Sequence, residues 1–183
     1  QGNVTKRTVY SRFVPGTAAI TVTSAIRATS APASSKEVSV TGISEPTLRL
    51  NTAVGNFGDN IVKNTKSASR TVRADGFLLG GTSVDLRFPS EIDLSGNPTS
   101  PQYEFSLDGG ASYVSSASIT LDAQGNFTQP LLIRYAPTRV GSAVQDLEFR
   151  NVSLNNGNYF PINSGLGQAS GFAIAVEPAA QST

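Results

Sequence analysis

Residues 103–113 read Tyr-Glu-Phe-Ser-Leu-Asp-Gly-Gly-Ala-Ser-Tyr, and this stretch decides the fold class. Tyr103, Phe105 and Leu107 alternate with polar residues, which is the period of a β-strand with one buried face. Asp-Gly-Gly at 108–110 then supplies a turn signal that ends the strand. The stretch therefore predicts a half-buried strand followed by a tight turn.

Similar alternating segments recur along the chain, separated by residues typical of turns. No window of helical periodicity exceeds about two turns, so the pattern predicts an all-β antiparallel sandwich. The apolar residues Leu147 and Phe149 stand at odd-numbered positions, whereas Val152 and Leu154 stand at even-numbered ones. This change of parity along the strand predicts a β-bulge near residues 150–151. The other predicted strands lie at residues 48–50, 70–74, 84–88, 118–121, 131–135 and 172–176.

The composition excludes several classes of function. The chain has 183 residues, enough for a substantial core, and contains no His, Cys, Met or Trp. Ser-His-Asp and Cys-His catalysis need residues that are absent, as do metal sites built from His or Cys. No apolar run approaches the roughly 18 residues of a transmembrane helix. We therefore expect no enzyme activity, no cofactor and no membrane span.

The chain begins with Gln1 rather than Met. This start predicts that a secretory signal has been removed, the alternative being the boundary of an expression tag. The absence of the oxidisable residues Cys and Met also suits an extracellular protein. We therefore expect a secreted or cell-surface location.

Charge is distributed unevenly along the chain. Residues 1–36 hold five of the 14 Lys and Arg residues and none of the 13 Asp and Glu residues, a formal charge of +5. The remainder has nine basic and 13 acidic residues and carries −4. Such asymmetry often marks a segment that interacts with a partner, although a basic, solvated tail has the same composition.

The N-terminal segment also has an apolar pattern of its own. Val9 and Phe13 share one parity, and Ile20, Val22 and Ile26 share another, which predicts two short strands. Residues 28–35 are small and polar and include a proline, which predicts a linker. We therefore expect an N-terminal arm and linker at 1–44, a β-sandwich at 45–178 and a tail at 179–183.

Three further segments carry a family resemblance together with residues 103–113. They are Ser-Arg-Thr-Val-Arg-Ala-Asp-Gly-Phe-Leu at 69–78, Val-Asp-Leu-Arg-Phe-Pro at 84–89, and Leu-Ile-Arg-Tyr-Ala-Pro at 132–137, followed by Gly141. In this order they resemble the Ig-like repeat domains of secreted Bacteroidetes surface proteins, over roughly residues 48–176. The resemblance implies an extracellular, non-enzymatic Ig-like β-sandwich that acts as a spacer, stalk or adhesive module.

Two loops of the form Asp-x-x-Gly-Asn, at 93–97 and 122–126, offer oxygen atoms to a calcium ion. Calcium takes six to eight oxygen ligands, more than either loop supplies, so we interpret both as hairpin turns. Acidic pairs such as Glu104 with Asp108 lie on the polar side of their strand, unlike paired catalytic carboxylates across a cleft. The cations near the N-terminus are too few and dispersed to predict nucleic-acid binding.

Two hypotheses for the function remain. In the first, the chain is a subunit of a surface fibre, and its arm adds a strand to a neighbouring copy. Apolar side chains would fill pockets of that neighbour, and arginines would contact its acidic body. The residues predicted to carry this assembly are Val9, Arg12, Phe13, Ile20, Val22, Ile26 and Arg27.

In the second hypothesis, the protein is a monomeric adhesion or glycan-binding module whose arm folds back on its own chain. Exposed loops would then bind a glycan or a host or matrix protein. The candidate loops are residues 56–64, 92–102 and 155–167.

Overall fold

The computed structural model describes residues 7–15, 20–92, 98–162 and 166–175. Within these ranges there is no α-helix, and the one 3₁₀ turn is Asn155–Gly157. None of the described segments forms a helix long and apolar enough to cross a membrane. The strands are β1 (Thr21–Ser30), β2 (Ala33–Ile43), β3 (Thr47–Leu50), β4 (Gly55–Asn56), β5 (Ile61–Val62), β6 (Arg70–Phe77), β7 (Ser83–Arg87), β8 (Glu91–Ile92), β9 (Pro98–Thr99), β10 (Tyr103–Ser106), β11 (Ser116–Thr120), β12 (Phe127–Tyr135), β13 (Gly141–Asp146), β14 (Glu148–Arg150), β15 (Phe160–Pro161) and β16 (Gln168–Ile174).

The sandwich has two layers. One layer is a four-stranded sheet in the order β10-β12-β6-β3, in which all pairs are antiparallel. The other contains the sheet β11-β7-β14-β15 and the sheet β13-β16-β4, with β5 also pairing with β16. Strands β13 and β14 are separated only by Leu147, so they join these two sheets along the chain. The prediction of an all-β sandwich built mainly from antiparallel pairs is confirmed, whereas β4 and β5 pair with β16 in parallel.

The core lies between the layers and includes many of the side chains that the alternation predicts to be buried. Leu107, predicted to face inward, is only half-buried, because β10 ends at Ser106, whose side chain is buried instead. Tyr103 and Phe105 of β10 are fully buried, and the Tyr103 hydroxyl donates a hydrogen bond to the Ala143 carbonyl of β13 at 2.8 Å. The rings of Phe88 and Phe105 lie 6.2 Å apart. These contacts join the two layers, and burial of aromatic and aliphatic side chains between them stabilises the fold.

The strand β14 ends differently from the prediction. A bulge was expected near residues 150–151, but β14 stops at Arg150 and a turn follows, with Val152 largely exposed. The Asn151 side-chain amide donates to the carbonyls of Gly80 and Ser83, which holds this turn against the start of β7. The parity changes because the strand has ended, so the predicted bulge is wrong.

The N-terminal region also differs from the prediction. Residues 28–35 do not form a linker, because β1 continues to Ser30 and β2 starts at Ala33. The two strands pair with each other as a hairpin, with a cis peptide bond between Ala31 and Pro32 in the turn. The small residues of this segment therefore belong to paired strands and a tight turn. Residues 7–15 contain no strand, so the strand predicted around Val9 and Phe13 is also absent.

Some predictions fall on residues outside the described ranges. They are the Asp-x-x-Gly-Asn loop at 93–97, the end of the last predicted strand at residue 176 and the tail at 179–183. The second Asp-x-x-Gly-Asn loop is a turn, as predicted. The Asp122 carboxylate accepts hydrogen bonds from the backbone N–H groups of Gln124 and Asn126, and Gly125 has a φ of 75°.

Candidate functional site: the N-terminal hairpin

The hairpin of β1 and β2 is a two-stranded sheet whose two faces differ in chemistry. Residues directly opposite each other in an antiparallel pair point to the same face, and successive residues alternate between faces. Val22 pairs with Gly42, and Ile26 pairs with Val38. One face therefore carries Val22, Ile26, Val38 and Val40, and we call it the apolar hairpin face.

The side chains of the apolar hairpin face are accessible to solvent. Val22 is 40% exposed, Ile26 is 39% exposed and Val38 is 64% exposed. Within the described part of the chain, β1 and β2 pair only with each other. The face is therefore an apolar surface that no strand of the sandwich covers, and clustered exposed apolar residues of this kind mark interaction surfaces.

The opposite face of the hairpin is mainly polar, apart from Ile43 at its end, and is held together by side-chain contacts. The hydroxyl groups of Thr23 and Thr41 lie 3.1 Å apart. The Arg27 guanidinium lies 3.4 Å from the Glu37 carboxylate and also donates to the Ser35 hydroxyl at 3.0 Å. Such cross-strand pairs stabilise the two-stranded sheet and fix its register.

Phe13 lies against the base of the apolar hairpin face. A Cβ atom built on Gly42 would be only 2.3 Å from the Phe13 ring, so the ring occupies the space that a side chain would fill. Beside the ring is a cleft of about 440 Å³, whose lining includes Arg12, Val22 and Val40. Phe13 therefore extends the apolar hairpin face beyond the paired strands.

Ser44 closes the base of the hairpin. Its backbone N–H donates to the Ile20 carbonyl at 2.9 Å, and the Ile20 N–H donates to the Ser44 hydroxyl at 3.1 Å. Ser44 is buried, and Glu45 and Pro46 then lead directly to β3. The hairpin is therefore connected to the sandwich by a short segment between Ile43 and Thr47.

The structure brings together part of the predicted assembly set. Val22 and Ile26 share the apolar hairpin face, Phe13 packs on its base, Arg12 lines the adjoining cleft, and Ile20 bonds to Ser44. Arg27 instead lies on the polar face, paired with Glu37. Val9 lies in the strandless segment and is exposed. Five of the seven residues therefore lie at or beside one surface.

The contribution of β2 to this surface was not among the predicted assembly residues. Val38 and Val40 share one parity, and Lys36 lies on the same face because it pairs with Ala28. The alternation of Val38 and Val40 was visible in the sequence. Their position opposite β1 was not, because the turn around Ala31 and Pro32 resembles a linker in composition.

Other polar surface clusters consist of groups that satisfy one another. The guanidinium groups of Arg87 and Arg150 lie 3.8 Å and 4.9 Å from the centre of the Tyr159 ring, within cation–π range. Arg150 also pairs with Asp85 at 2.6 Å. A hydrogen bond from the Ser118 hydroxyl, followed by one from Arg150, lowers the pKa of Asp85. This cluster ties β7, β11 and β14 together.

A polar groove of about 550 Å³ lies beside β10. The Arg134 guanidinium lies 3.5 Å from the centre of the Tyr113 ring and also pairs with Glu104 at 2.6 Å. Lys66 pairs with the same carboxylate at 3.2 Å. Arg134 therefore covers one face of the Tyr113 ring.

The candidate binding loops are also partly structured. Within residues 56–64, β5 pairs in parallel with β16, and the Asn56 side chain accepts a hydrogen bond from the Gly58 N–H at 2.6 Å. The loops at 92–102 and 155–167 include residues outside the described ranges. No cluster of three or more potential metal ligands occurs among the described residues.

Asp108 behaves as a turn residue. Its carboxylate accepts a hydrogen bond from the Ser106 hydroxyl, and others from the Ser112 hydroxyl and backbone N–H. These bonds lower the pKa of Asp108, the bond from Ser106 contributing most. The carboxylate is thus a stable acceptor within its own turn.

No protein-family model and no curated protein sequence matches the chain. Among the solved structures that show a likeness to the fold are the following two. One is the ASH/PapD-like domain 7 of human CEP192, at 17% identity and a TM-score of 0.39, covering 73% of this chain and 87% of that one. The other is a family 123 glycoside hydrolase from Clostridium perfringens, at 9% identity and a TM-score of 0.40, covering 72% of this chain and 28% of that enzyme.

Proposed function

We propose that this chain is a non-enzymatic extracellular structural subunit whose N-terminal hairpin adds to a neighbouring copy and so builds a fibre. The observation that carries the proposal is the exposed apolar hairpin face on a two-stranded sheet that no other described strand joins. A lone two-stranded hairpin is only marginally stable in water. Contact with a second molecule would cover its apolar side chains and stabilise it.

A second copy is the partner that the charge distribution favours. Residues 1–36 carry +5, and the remainder of the chain carries −4. The N-terminal region of one copy is therefore electrostatically complementary to the body of the next, which promotes contact and sets orientation. Because these two surfaces differ, the contact is head to tail, and repeating it gives a filament unless the rotation closes a ring.

The experiment compares the intact chain with a variant lacking residues 1–43, using size-exclusion chromatography with light scattering and negative-stain microscopy. The deletion removes both hairpin strands and keeps Ser44 and the whole sandwich. We expect polymers of regular width from the intact chain and a folded monomer from the deletion variant. Circular dichroism of the variant checks that the sandwich remains folded.

Polymers formed equally well by the deletion variant would overturn the proposal. A monomeric intact chain would also overturn it and would favour the adhesion alternative, in which the hairpin stays with its own sandwich. Glycan and matrix-protein arrays would then be the next measurement, because exposed loops are the usual binding sites of such modules.

A further inference from the structure

The outer face of β13 and β16 carries exposed apolar side chains. Ser142 pairs with Phe172 and Val144 pairs with Ser170, so all four residues point to the same face. Val144 is 54% exposed and Phe172 is 42% exposed. The two are diagonal neighbours, a separation of about 7–8 Å that large side chains can bridge. They form a small apolar patch on the outside of the sandwich.

Asp146 ends this patch. It lies two residues beyond Val144 on β13 and pairs with Gln168, so it points to the same outer face. Within the described ranges, its carboxylate takes part in no salt bridge, as is also true of Asp59 and Asp122, whereas the carboxylates of Asp85 and Glu104 each pair with a cation. The outer β13–β16 face, defined by Val144, Asp146 and Phe172, therefore combines apolar side chains with an available negative charge.

The apolar hairpin face has the complementary pattern. Lys36 lies two residues before Val38 on β2 and points to the same face. Its ammonium group forms no salt bridge in the part of the chain that the structure describes, unlike Arg27 on the polar face. On each surface, a charged residue thus lies two residues, about 7 Å, from an exposed valine on the same strand.

We propose that the outer β13–β16 face receives the apolar hairpin face of a second copy, with Lys36 of one copy pairing with Asp146 of the next. This inference rests on the proposed function and names the receiving surface. Two β-sheets that pack face to face lie about 10 Å apart with their strands within about 30°. In that arrangement, Ile26 and Val38 cover Val144 and Phe172 and exclude water from all four side chains.

Charge reversal tests the pairing directly. Lys36→Glu places two negative groups opposite each other, and Asp146→Lys places two positive groups opposite each other. We expect each variant alone to lose assembly and to elute as a monomer in light scattering. A chain carrying both substitutions restores opposite charges and regains assembly. Ser39→Glu adds a negative charge on the polar face, opposite Ala25, without breaking a salt bridge, and is expected to leave assembly intact.

Mixing the two single variants separates contact between copies from contact within one chain. In an equimolar mixture, the glutamate introduced at position 36 of one variant faces the lysine introduced at position 146 of the other. At the next interface, the native Lys36 of the second variant faces the native Asp146 of the first. We expect the mixture to form alternating polymers although neither variant assembles alone. That rescue would also show that both variants are folded. Assembly rescued in the double variant but not in the mixture would overturn the pairing between copies.

The outcomes also separate this inference from the proposed function. If the variant lacking residues 1–43 stays monomeric while Lys36→Glu and Asp146→Lys assemble normally, the hairpin is the connector and the receiving surface lies elsewhere. If the deletion variant assembles, or the intact chain is a monomer, both proposals fail. If neither the mixture nor the double variant regains assembly, the proposed pairing is wrong.

Discussion

Ile26 of β1 and Val38 of β2 lie directly opposite each other, and both side chains are exposed, at 39% and 64%. Cross-strand apolar pairs usually stabilise a sheet by packing against a core as well as against each other. Here the described structure provides no covering layer over this pair. The proposed contact between copies would cover this pair, so substitutions here should separate assembly from folding.

Ile26→Asp is expected to abolish assembly and to leave the sandwich folded. The substitution puts a charge into a surface that becomes apolar and dry on contact, and an unpaired buried charge costs several kcal/mol. Ala25→Asp is the matched control, because Ala25 pairs with Ser39 on the polar face. Light scattering should report a monomer for the first variant and polymers for the second. Equal assembly by both variants would place the contact on another surface.

Gly42→Ala is expected to displace Phe13 from the hairpin, because the added Cβ would lie only 2.3 Å from the ring. The chain contains no Trp, so Phe13→Trp introduces a single fluorescent reporter at this position. Adding Gly42→Ala to that variant should shift the emission to longer wavelength as the ring becomes more exposed to water. Ser39→Ala, on the polar face, should leave the emission unchanged. An unshifted spectrum with Gly42→Ala would contradict the packing.

Two buried tyrosines are expected to respond in opposite ways to loss of the hydroxyl group. The Tyr135 hydroxyl is buried and has no hydrogen-bond partner among the described residues, whereas that of Tyr103 donates to the Ala143 carbonyl at 2.8 Å. Tyr135→Phe should leave the free energy of unfolding unchanged or raise it by about 1 kcal/mol. Tyr103→Phe should lower it by about 0.5–1.5 kcal/mol. Urea denaturation of both variants measures the difference, and a larger loss for Tyr135→Phe would contradict it.

Acidic pH is expected to remove the contribution of Asp85 to stability. Hydrogen bonds from Ser118 and Arg150 lower the folded-state pKa of this carboxyl below its ordinary value of 3.8. A lowered folded-state pKa stabilises the fold above the ordinary value, and this stabilisation is lost as the pH falls through the folded-state pKa. At pH 7 the intact chain should therefore be more stable than Asp85→Asn by about 0.5–1 kcal/mol. Urea denaturation of both proteins from pH 7 to pH 2 should show this difference shrinking, and a constant difference would contradict it.

Much of the sandwich was predictable because its strands alternate clearly. The alternation at 103–107 and 131–135 predicts the burial of Tyr103, Phe105 and Ile133, and the structure confirms it. The turn at 122–126 also follows from residue types, because Asp accepts backbone hydrogen bonds and Gly adopts positive φ. These features depend on neighbours along the chain, which the sequence shows directly.

The candidate site was less predictable because it depends on which strands meet. Val22 and Ile26 were recognised as one apolar set, but their pairing with the strand of Val38 was hidden by a turn that resembles a linker. Arg27 was assigned to assembly, yet it pairs with Glu37 on the opposite face. Odd and even positions along one strand show which of its residues share a face. Which residues of the partner strand lie on that same face depends on the register of the pairing.

The sequence by itself determined the all-β class, the main core strands and the charge asymmetry, because local periodicity and composition carry that information. Only the tertiary structure decided that the N-terminal strands pair with each other, that Phe13 lies on Gly42, and that Lys36 and Asp146 each end an exposed apolar patch. The physical reason is that pairing and register arise from contacts between distant segments. Such contacts depend on complementary surfaces across the whole chain and leave no local periodic signal.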